Sequence, residues 1–363
     1  MAKRVSVDRW LFGVTLLLVL IGLVMVFSAS AVVAKERFGS PYYFMLKQTL
    51  WGFAGVVAML ATMQIDYRKY RHPAFVYSSV AITTLLLVLV LFLDRSRNTH
   101  RWIKLGALSF QPSELAKPAL ILYLAYFLES RLRDIDDWRR TLIPAVIPSV
   151  LFSLLIVKQP DLGTAMACCA ITGAVLWVAG IHPKYLGYAA AASLVPLYWL
   201  IFRTPWRYQR ILAFLDPYSD PQGRGFHMIQ SLIAVGTGGF TGQGLMEGKQ
   251  KLFYLPEPQT DFIYAVIAEE WGLIGSVIIV ALFAFFCYRG LRCALNTKDN
   301  FARFLAVGIT AMVGIQAFFN ISVVLGLLPT KGIPLPFISY GGSSLFITLA
   351  SVGVLLNITK QTD

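Results

Sequence analysis

Charge is scarce in this chain. Only 14% of its 363 residues are Asp, Glu, Lys or Arg, whereas a soluble domain carries about 25%. No polar stretch is long enough to build a core of its own, so no separate soluble domain is expected. Cysteine is equally sparse, with four in all. Cys168 and Cys169 lie inside one apolar run, and Cys287 and Cys293 lie at the end of another. That placement suits small apolar packing residues rather than a disulfide framework. Neither a C-x-x-C pair nor a His/Cys cluster offers a structural metal site. The patterns G-x-x-x-x-G-K-[ST], H-E-x-x-H and G-x-S-x-G are all missing. Nucleotide hydrolysis, zinc proteolysis and α/β-hydrolase chemistry therefore have no support.

Apolar residues are plentiful, at 57%. They fall into ten runs, roughly 10–33, 44–63, 75–93, 113–128, 142–157, 162–180, 184–202, 262–287, 302–327 and 338–358. Several approach the roughly 20 residues that cross a bilayer as a helix. The expected fold is all-α: a polytopic integral membrane protein of about ten transmembrane helices, forming a single transmembrane domain over 1–363. Residues 203–261 form one large extracytoplasmic loop within it, too long for a simple connection. Lys3 and Arg4 precede the first run, and Ser28-Ala-Ser-Ala31 follows its apolar core. The pattern is like a signal peptide, but the core is too long for one and suits an uncleaved spanning helix.

The net charge is +13. Its cations flank the apolar runs instead of gathering in one basic domain, so anionic headgroups are the expected partner and nucleic acid is not. Short loops carry 16 cations on the N-terminal side of the membrane against 9 on the other. Both termini are thus expected in the cytoplasm. Cations kept on the outer face imply an anionic partner there.

Ionisable residues at membrane depth are functional candidates by default. Asp261 stands where the polar loop becomes the eighth run, with Glu269 and Glu270 two to three turns further in. Glu114 and Lys117 are three apart in Pro112-Ser-Glu-Leu-Ala-Lys-Pro118, hence on one helical face. Pro118 is expected to kink that helix. Asp161, in Gln159-Pro-Asp-Leu-Gly-Thr164, opens another helix after a proline. Asp261 could be a dipole partner and Asp161 a cap, and Glu114 with Lys117 could be a self-neutralising ion pair. Their convergence on one leaflet points to a shared site instead. Within 203–261 stand Arg207 and Arg210, Gln230 and Ser231, and the glycine-rich Gly236-Thr-Gly-Gly-Phe-Thr-Gly-Gln-Gly244. Glycine at that density lets backbone amides approach a ligand. The last outer loop runs from Leu328 through Lys331 and Ser339 to Ser343 and Ser344.

Four blocks together resemble the SEDS (shape, elongation, division and sporulation) family of peptidoglycan glycosyltransferases. They are Arg101-Trp-Ile103 through Phe110-Gln-Pro-Ser-Glu114-Leu-Ala-Lys117, Gln159 to Thr164, Gln230-Ser231 to Glu270, and Pro334 to Ser344. Pro329-Thr-Lys-Gly332 and Val26-Phe-Ser-Ala-Ser30 look like the division-type, FtsW-like members, with RodA-like members second. Gln259 stands where many relatives have histidine, which puts a histidine role at that position in doubt.

The resemblance implies polymerisation of lipid II at the outer face of the bacterial cytoplasmic membrane, with inversion at the anomeric carbon, for cell division or cell shape. Asp261 would be the base. Glu114, Lys117 and Asp161 would line the cavity beside it. Arg207, Arg210 and Lys331 are candidates for the diphosphate, and Gln230, Ser231, Ser339 and Ser343 for other substrate contacts. A divalent cation such as magnesium could bridge carboxylates and diphosphate, although no spacing marks its ligands. A class B penicillin-binding protein transpeptidase and other division or elongation membrane proteins are the implied partners. Two other readings remain open: a lipid II flippase, and a non-catalytic scaffold for the transpeptidase.

Overall fold

The computed structural model describes residues 7–94, 100–105, 108–252 and 254–361. Lys3, Arg4, Arg95 and Arg97, four of the cations counted for topology, lie outside them. The described chain is all-α except for one antiparallel hairpin, β1 (Ile103–Leu105) with β2 (Leu108–Phe110). Its helices are α1 (Arg9–Phe38), α2 (Tyr43–Gln64), α3 (Pro73–Leu93), α4 (Pro112–Glu129), α5 (Ile143–Lys158), α6 (Leu162–Ala179), α7 (Pro183–Phe202), α8 (Pro205–Leu215), α9 (Phe226–Thr237), α10 (Ile263–Asn296), α11 (Asn300–Val324) and α12 (Gly342–Gln361). A π turn, Trp138–Leu142, leads into α5.

Local chemistry sets many of these boundaries. Asp8 caps α1 by accepting from the Trp10 and Leu11 amides, and the left-handed Gly39 ends it. Proline opens α3, α4, α7 and α8, where its missing N–H costs nothing. Nine described helices are long and apolar enough to cross a membrane, and α4 is not among them. Parity supplies the tenth. The Asp8 amide donates to Thr359 Oγ1 at 3.3 Å, so the two ends of the chain share one face of the bundle. That requires an even number of crossings, and α4, 18 residues long, completes it. It falls short on composition because it carries Glu114, Lys117 and Glu129. It is nevertheless a central helix, packed against α3, α5, α6 and α11.

The α4 helix is continuous through Pro118. A break comes in α10, at Gly272, with φ 64° and ψ −160°, a conformation essentially reserved for glycine. A half-helix, 263–271, therefore precedes the spanning part. The break is sealed by the loop 238–244. The Gln243 and Gly244 amides donate to the Glu269 and Glu270 carbonyls at 3.0 and 3.1 Å. The Leu273 and Ile274 amides donate to the Gly239 and Phe240 carbonyls at 2.8 and 3.2 Å. Two of the groups orphaned on each side of the break are thus satisfied. These glycine-loop amides, expected as ligand donors, serve the helix break.

Candidate active site

The turn before α6, helix α8, the turn before α10 and the loop 325–341 meet at one end of the bundle. Asp261 stands at their centre. Its carbonyl accepts from Asn320 Nδ2 of α11 at 2.9 Å, and the same amide donates to the Ile333 carbonyl at 2.8 Å. Ser339 Oγ donates to the Thr260 carbonyl at 2.6 Å and accepts from the Leu335 amide at 2.8 Å. The Tyr340 amide donates to the Gln259 carbonyl at 2.8 Å. Gly332 lies so close that a Cβ there would sit 2.8 Å from Asp261 Oδ2. The Asp261 backbone is held from α11 and from the 325–341 loop, while its carboxyl stays half-buried.

That carboxyl lies at the seam of two cavities, each of about 340 Å³. One has an apolar floor from Met166 of α6, Leu197 and Ile201 of α7, and Phe319 of α11. Its rim carries Arg101, Asp161, Arg207, Arg210 and Lys331. The other is lined by Gln209, Arg224, His227 and Glu257. Trp206, Arg210, Asp261 and Lys331 border both.

Each rim residue is placed by local structure. Asp161 caps α6, accepting from the Thr164 amide at 3.1 Å and from Thr164 Oγ1 at 2.8 Å. Gln111 Nε2 donates at 3.4 Å to Oδ2, the oxygen that Thr164 Oγ1 also reaches. Arg101 donates to the Gln159 carbonyl at 2.9 Å and also to the Pro160 carbonyl. It thereby ties the segment before the β-hairpin to the turn that carries Asp161. Arg207 and Arg210 are three apart on α8, and both guanidinium groups lie over Trp206, 4.9 and 5.1 Å from its ring centre. Arg210 donates to the Thr330 carbonyl at 3.3 Å. Lys331 Nζ rests on Met166 Sδ. Arg207 is only 8% exposed, and its Nε has no partner.

The electrostatics are unbalanced. Arg101, Arg207, Arg210 and Lys331 face Asp161 and Asp261, yet among the described residues none of the six is in an ion pair. With both acids ionised, the rim keeps two surplus positive charges and an unpartnered buried donor. Such a site attracts an anion. Burial raises the Asp261 carboxyl to about 7; Glu257 and Asp161 push the same way, and Arg210 and Arg101 oppose them. Burial and the neighbouring Arg210 lower Lys331 to about 8, against Asp161. Burial, with Arg101 nearby, also lowers Arg207. Arg210 falls for the same first reason, with Asp261 opposing.

Several expected site residues are elsewhere. Glu114 and Lys117 pair with each other at 2.8 Å, at 2% and 1% exposure, and border neither cavity. Ser231 is buried and donates to the Val324 carbonyl at 2.8 Å, while Gln230 beside it on α9 borders neither cavity. Ser339 braces the Asp261 turn, and Ser343 accepts from the Gln111 amide at 3.3 Å. Glu269 accepts from the Lys249 and Gln250 amides at 2.7 and 3.1 Å. Glu270 accepts from Lys251 Nζ and Ser28 Oγ, each at 2.6 Å. Both acids anchor the loop 242–255. Gln259 points to Glu257 at 3.0 Å and borders neither cavity.

Sequence reasoning missed the roles of Arg101, Trp206, His227, Glu257 and Asn320. Arg101 opens the first family block, but its sequence context shows no role for it. Asn320 carried a signal, a lone amide inside an apolar run. Among the described residues no three His, Cys, Asp or Glu side chains converge, and four cations already crowd the two carboxylates.

Among known proteins, a probable peptidoglycan glycosyltransferase FtsW from Geobacter metallireducens is 44% identical over 344 residues, covering 94% of this chain and 91% of that one. Stage V sporulation protein E of Bacillus subtilis is 44% identical over 363 residues, covering 99% of each. A chain from a peptidoglycan synthase complex, described for its structural coordination of polymerization and crosslinking, superposes with a TM-score of 0.80 at 32% identity, covering 98% of both chains. The rod shape determining protein RodA of Thermus thermophilus gives 0.71 at 27% identity, with 98% of both covered. Residues 8–363 match the cell cycle protein family FtsW/RodA/SpoVE. With its polytopic all-α bundle and relatives of near-equal length, the chain belongs to the FtsW/RodA/SpoVE family.

Proposed function

We propose that this protein is a peptidoglycan glycosyltransferase that polymerises lipid II, with Asp261 as its base. The observation that carries this reading is the half-buried Asp261 carboxyl beside a rim with two surplus positive charges, above an apolar floor. A diphosphate diester carries two negative charges and a prenyl chain. The rim suits the first and the floor the second.

In the reaction, the acceptor hydroxyl oxygen forms a bond to the donor's anomeric carbon from the face opposite the diphosphate. The bond from that carbon to the diphosphate oxygen breaks, and the electron pair leaves with the lipid diphosphate. The hydroxyl proton passes to Asp261. A carboxyl raised to about 7 is well matched to that task near neutral pH. Arg207, Arg210, Lys331 and Arg101 stabilise the departing charge. Asp161 orients the rim through Gln111 and the α6 cap. No step here is routed through a metal.

The polar residues around Asp261 stand at one end of the bundle. That favours chemistry at one leaflet over passage of lipid through the bilayer. On the cation count this end is the outer face of a bacterial cytoplasmic membrane, with both termini inside and 203–261 outside. A class B penicillin-binding protein is the proposed partner, in keeping with the synthase complex whose chain this one resembles. Relatives named for division and for sporulation are equally similar, so the process served is division-type or its sporulation counterpart. The test is direct. Purified protein given lipid II should yield glycan polymer, and a preparation that folds and binds lipid II without making polymer would refute the assignment.

A further inference from the structure

We infer that the polar cavity beyond Asp261 is a saccharide subsite, which holds the acceptor sugar while the apolar-floored cavity holds the departing prenyl diphosphate. This rests on the glycosyl-transfer reading above. The two cavities share Trp206, Arg210, Asp261 and Lys331 and differ in the rest of their lining. Spanning helices α6, α7 and α11 wall the first. No spanning helix contributes to the second. Its walls come from α8, the start of α9, the turn before α10 and the 325–341 loop. A prenyl chain has nowhere to lie in it.

The wall chemistry of the second cavity suits a sugar. Trp206 offers an aromatic face at the junction, and its ring is fixed by the two guanidinium groups over it. Around it stand an amide, an imidazole and a carboxylate, from Gln209, His227 and Glu257. Planar hydrogen-bonding groups beside an aromatic surface recognise hydroxyls and acetamido groups through both polar edges and apolar faces. Burial and Arg210 lower His227 below the usual imidazole value, which favours the neutral ring. Its ring lies beside Phe262, with centroids 6.2 Å apart.

Glu257 adds a second, independent mark. It adopts φ 47°, a left-handed conformation uncommon outside glycine. The turn is held by the Thr260 amide donating to the Glu257 carbonyl at 3.1 Å, and by Gln259 Nε2 donating to its carboxylate at 3.0 Å. Backbone strain of this kind gathers at ligand sites. Here it sets Glu257 in the lining of the cavity beside the base. The volume, about 340 Å³, falls within the range of about 300–1,000 Å³ for small-ligand sites.

The test uses the full chain in lipid nanodiscs and two probes. One is farnesyl diphosphate, whose binding is read directly. The other is the lipid-free N-acetylglucosaminyl-N-acetylmuramyl pentapeptide, read as an inhibitor of lipid II polymerisation. Gln209→Ala and His227→Ala should each weaken inhibition by the disaccharide about tenfold, the loss of one good hydrogen bond, with farnesyl diphosphate binding within about twofold of wild type. Arg207→Ala should do the reverse. Should an alanine variant fail to fold, Gln209→Asn and His227→Gln carry the same comparison. Equal weakening of both probes, or weakening of farnesyl diphosphate alone by the Gln209 and His227 variants, would overturn the subsite. Wild-type protein that makes no polymer would instead refute the underlying reading.

Discussion

Lys251 and Glu270 form a buried pair at 2.6 Å, with side chains 5% and 0% exposed. Ser28 of α1 touches both, at 3.0 Å from Lys251 Nζ and 2.6 Å from Glu270 Oε1. Glu270 Oε2 is buried and without a partner. The pair fastens the loop 242–255 to the end of the half-helix 263–271, whose other end adjoins Asp261. Replacing Lys251 by methionine keeps the stem and removes the charge. Glu270 is then left ionised and buried with only Ser28, a situation that costs roughly 3–5 kcal/mol. Replacing both, Lys251→Met with Glu270→Leu, removes the stranded charge, and such double changes are often neutral or stabilising. The assay is thermal unfolding of the purified protein in detergent, run beside polymerisation. The single variant should melt several degrees lower and polymerise slowly, and the double variant should recover most of the melting temperature. A single variant that melts with wild type, or a double variant as unstable as the single, would refute the reasoning.

Three further outcomes follow from the geometry. Polymerisation should have a bell-shaped pH profile, rising as Asp261 loses its proton near 7 and falling as Lys331 loses its charge near 8; Lys331→Arg should move the falling limb upward, because guanidinium stays charged. Glu114→Leu or Lys117→Met alone should each cost roughly 3–5 kcal/mol in a melting assay, while the double variant should melt near wild type and still polymerise; a folded but inactive double variant would return the pair to the substrate site. Ser219→Cys should react with an impermeant maleimide on intact cells, and labelling only after permeabilisation would reverse the proposed topology.

Much of the fold was legible because membrane helices announce themselves by length and hydropathy. The ten apolar runs each fall on one helix, even α4, whose three charges hide it from a composition test, although α1 and α10 run on by five and nine residues past the ends expected. The break at Gly272 was not legible. A glycine inside an apolar run looks like any small packing residue, and only the sealing carbonyls and amides of 239–244 explain it. The site was legible in part. Asp261, Asp161, Arg207, Arg210 and Lys331 come together, as an outer-leaflet cluster of charge implied. The serines did not, because a buried hydroxyl can serve a backbone carbonyl as well as a ligand, and Ser231 and Ser339 both do so. Charge, a shared outer-leaflet placement and the family block all put Glu114 and Lys117 with the site. Their mutual contact at 2.8 Å satisfies that charge inside the bundle. His227 and Glu257 were hidden for the opposite reason, since polar residues in a polar loop raise no alarm until the loop folds over the base.

The central claim is that Asp261 takes the acceptor proton. Asp261→Asn keeps the shape of the side chain and removes the basic oxygen pair, while the Asn320 and Gly332 contacts that set the turn remain. The decisive measurement is glycan synthesis from lipid II by the purified variant beside wild type, with farnesyl diphosphate binding and melting temperature recorded on the same samples. The account predicts a folded protein that still binds the diphosphate and makes no polymer above background between pH about 6 and about 9, a range that spans both titrations. Polymer made at a rate near wild type would contradict it.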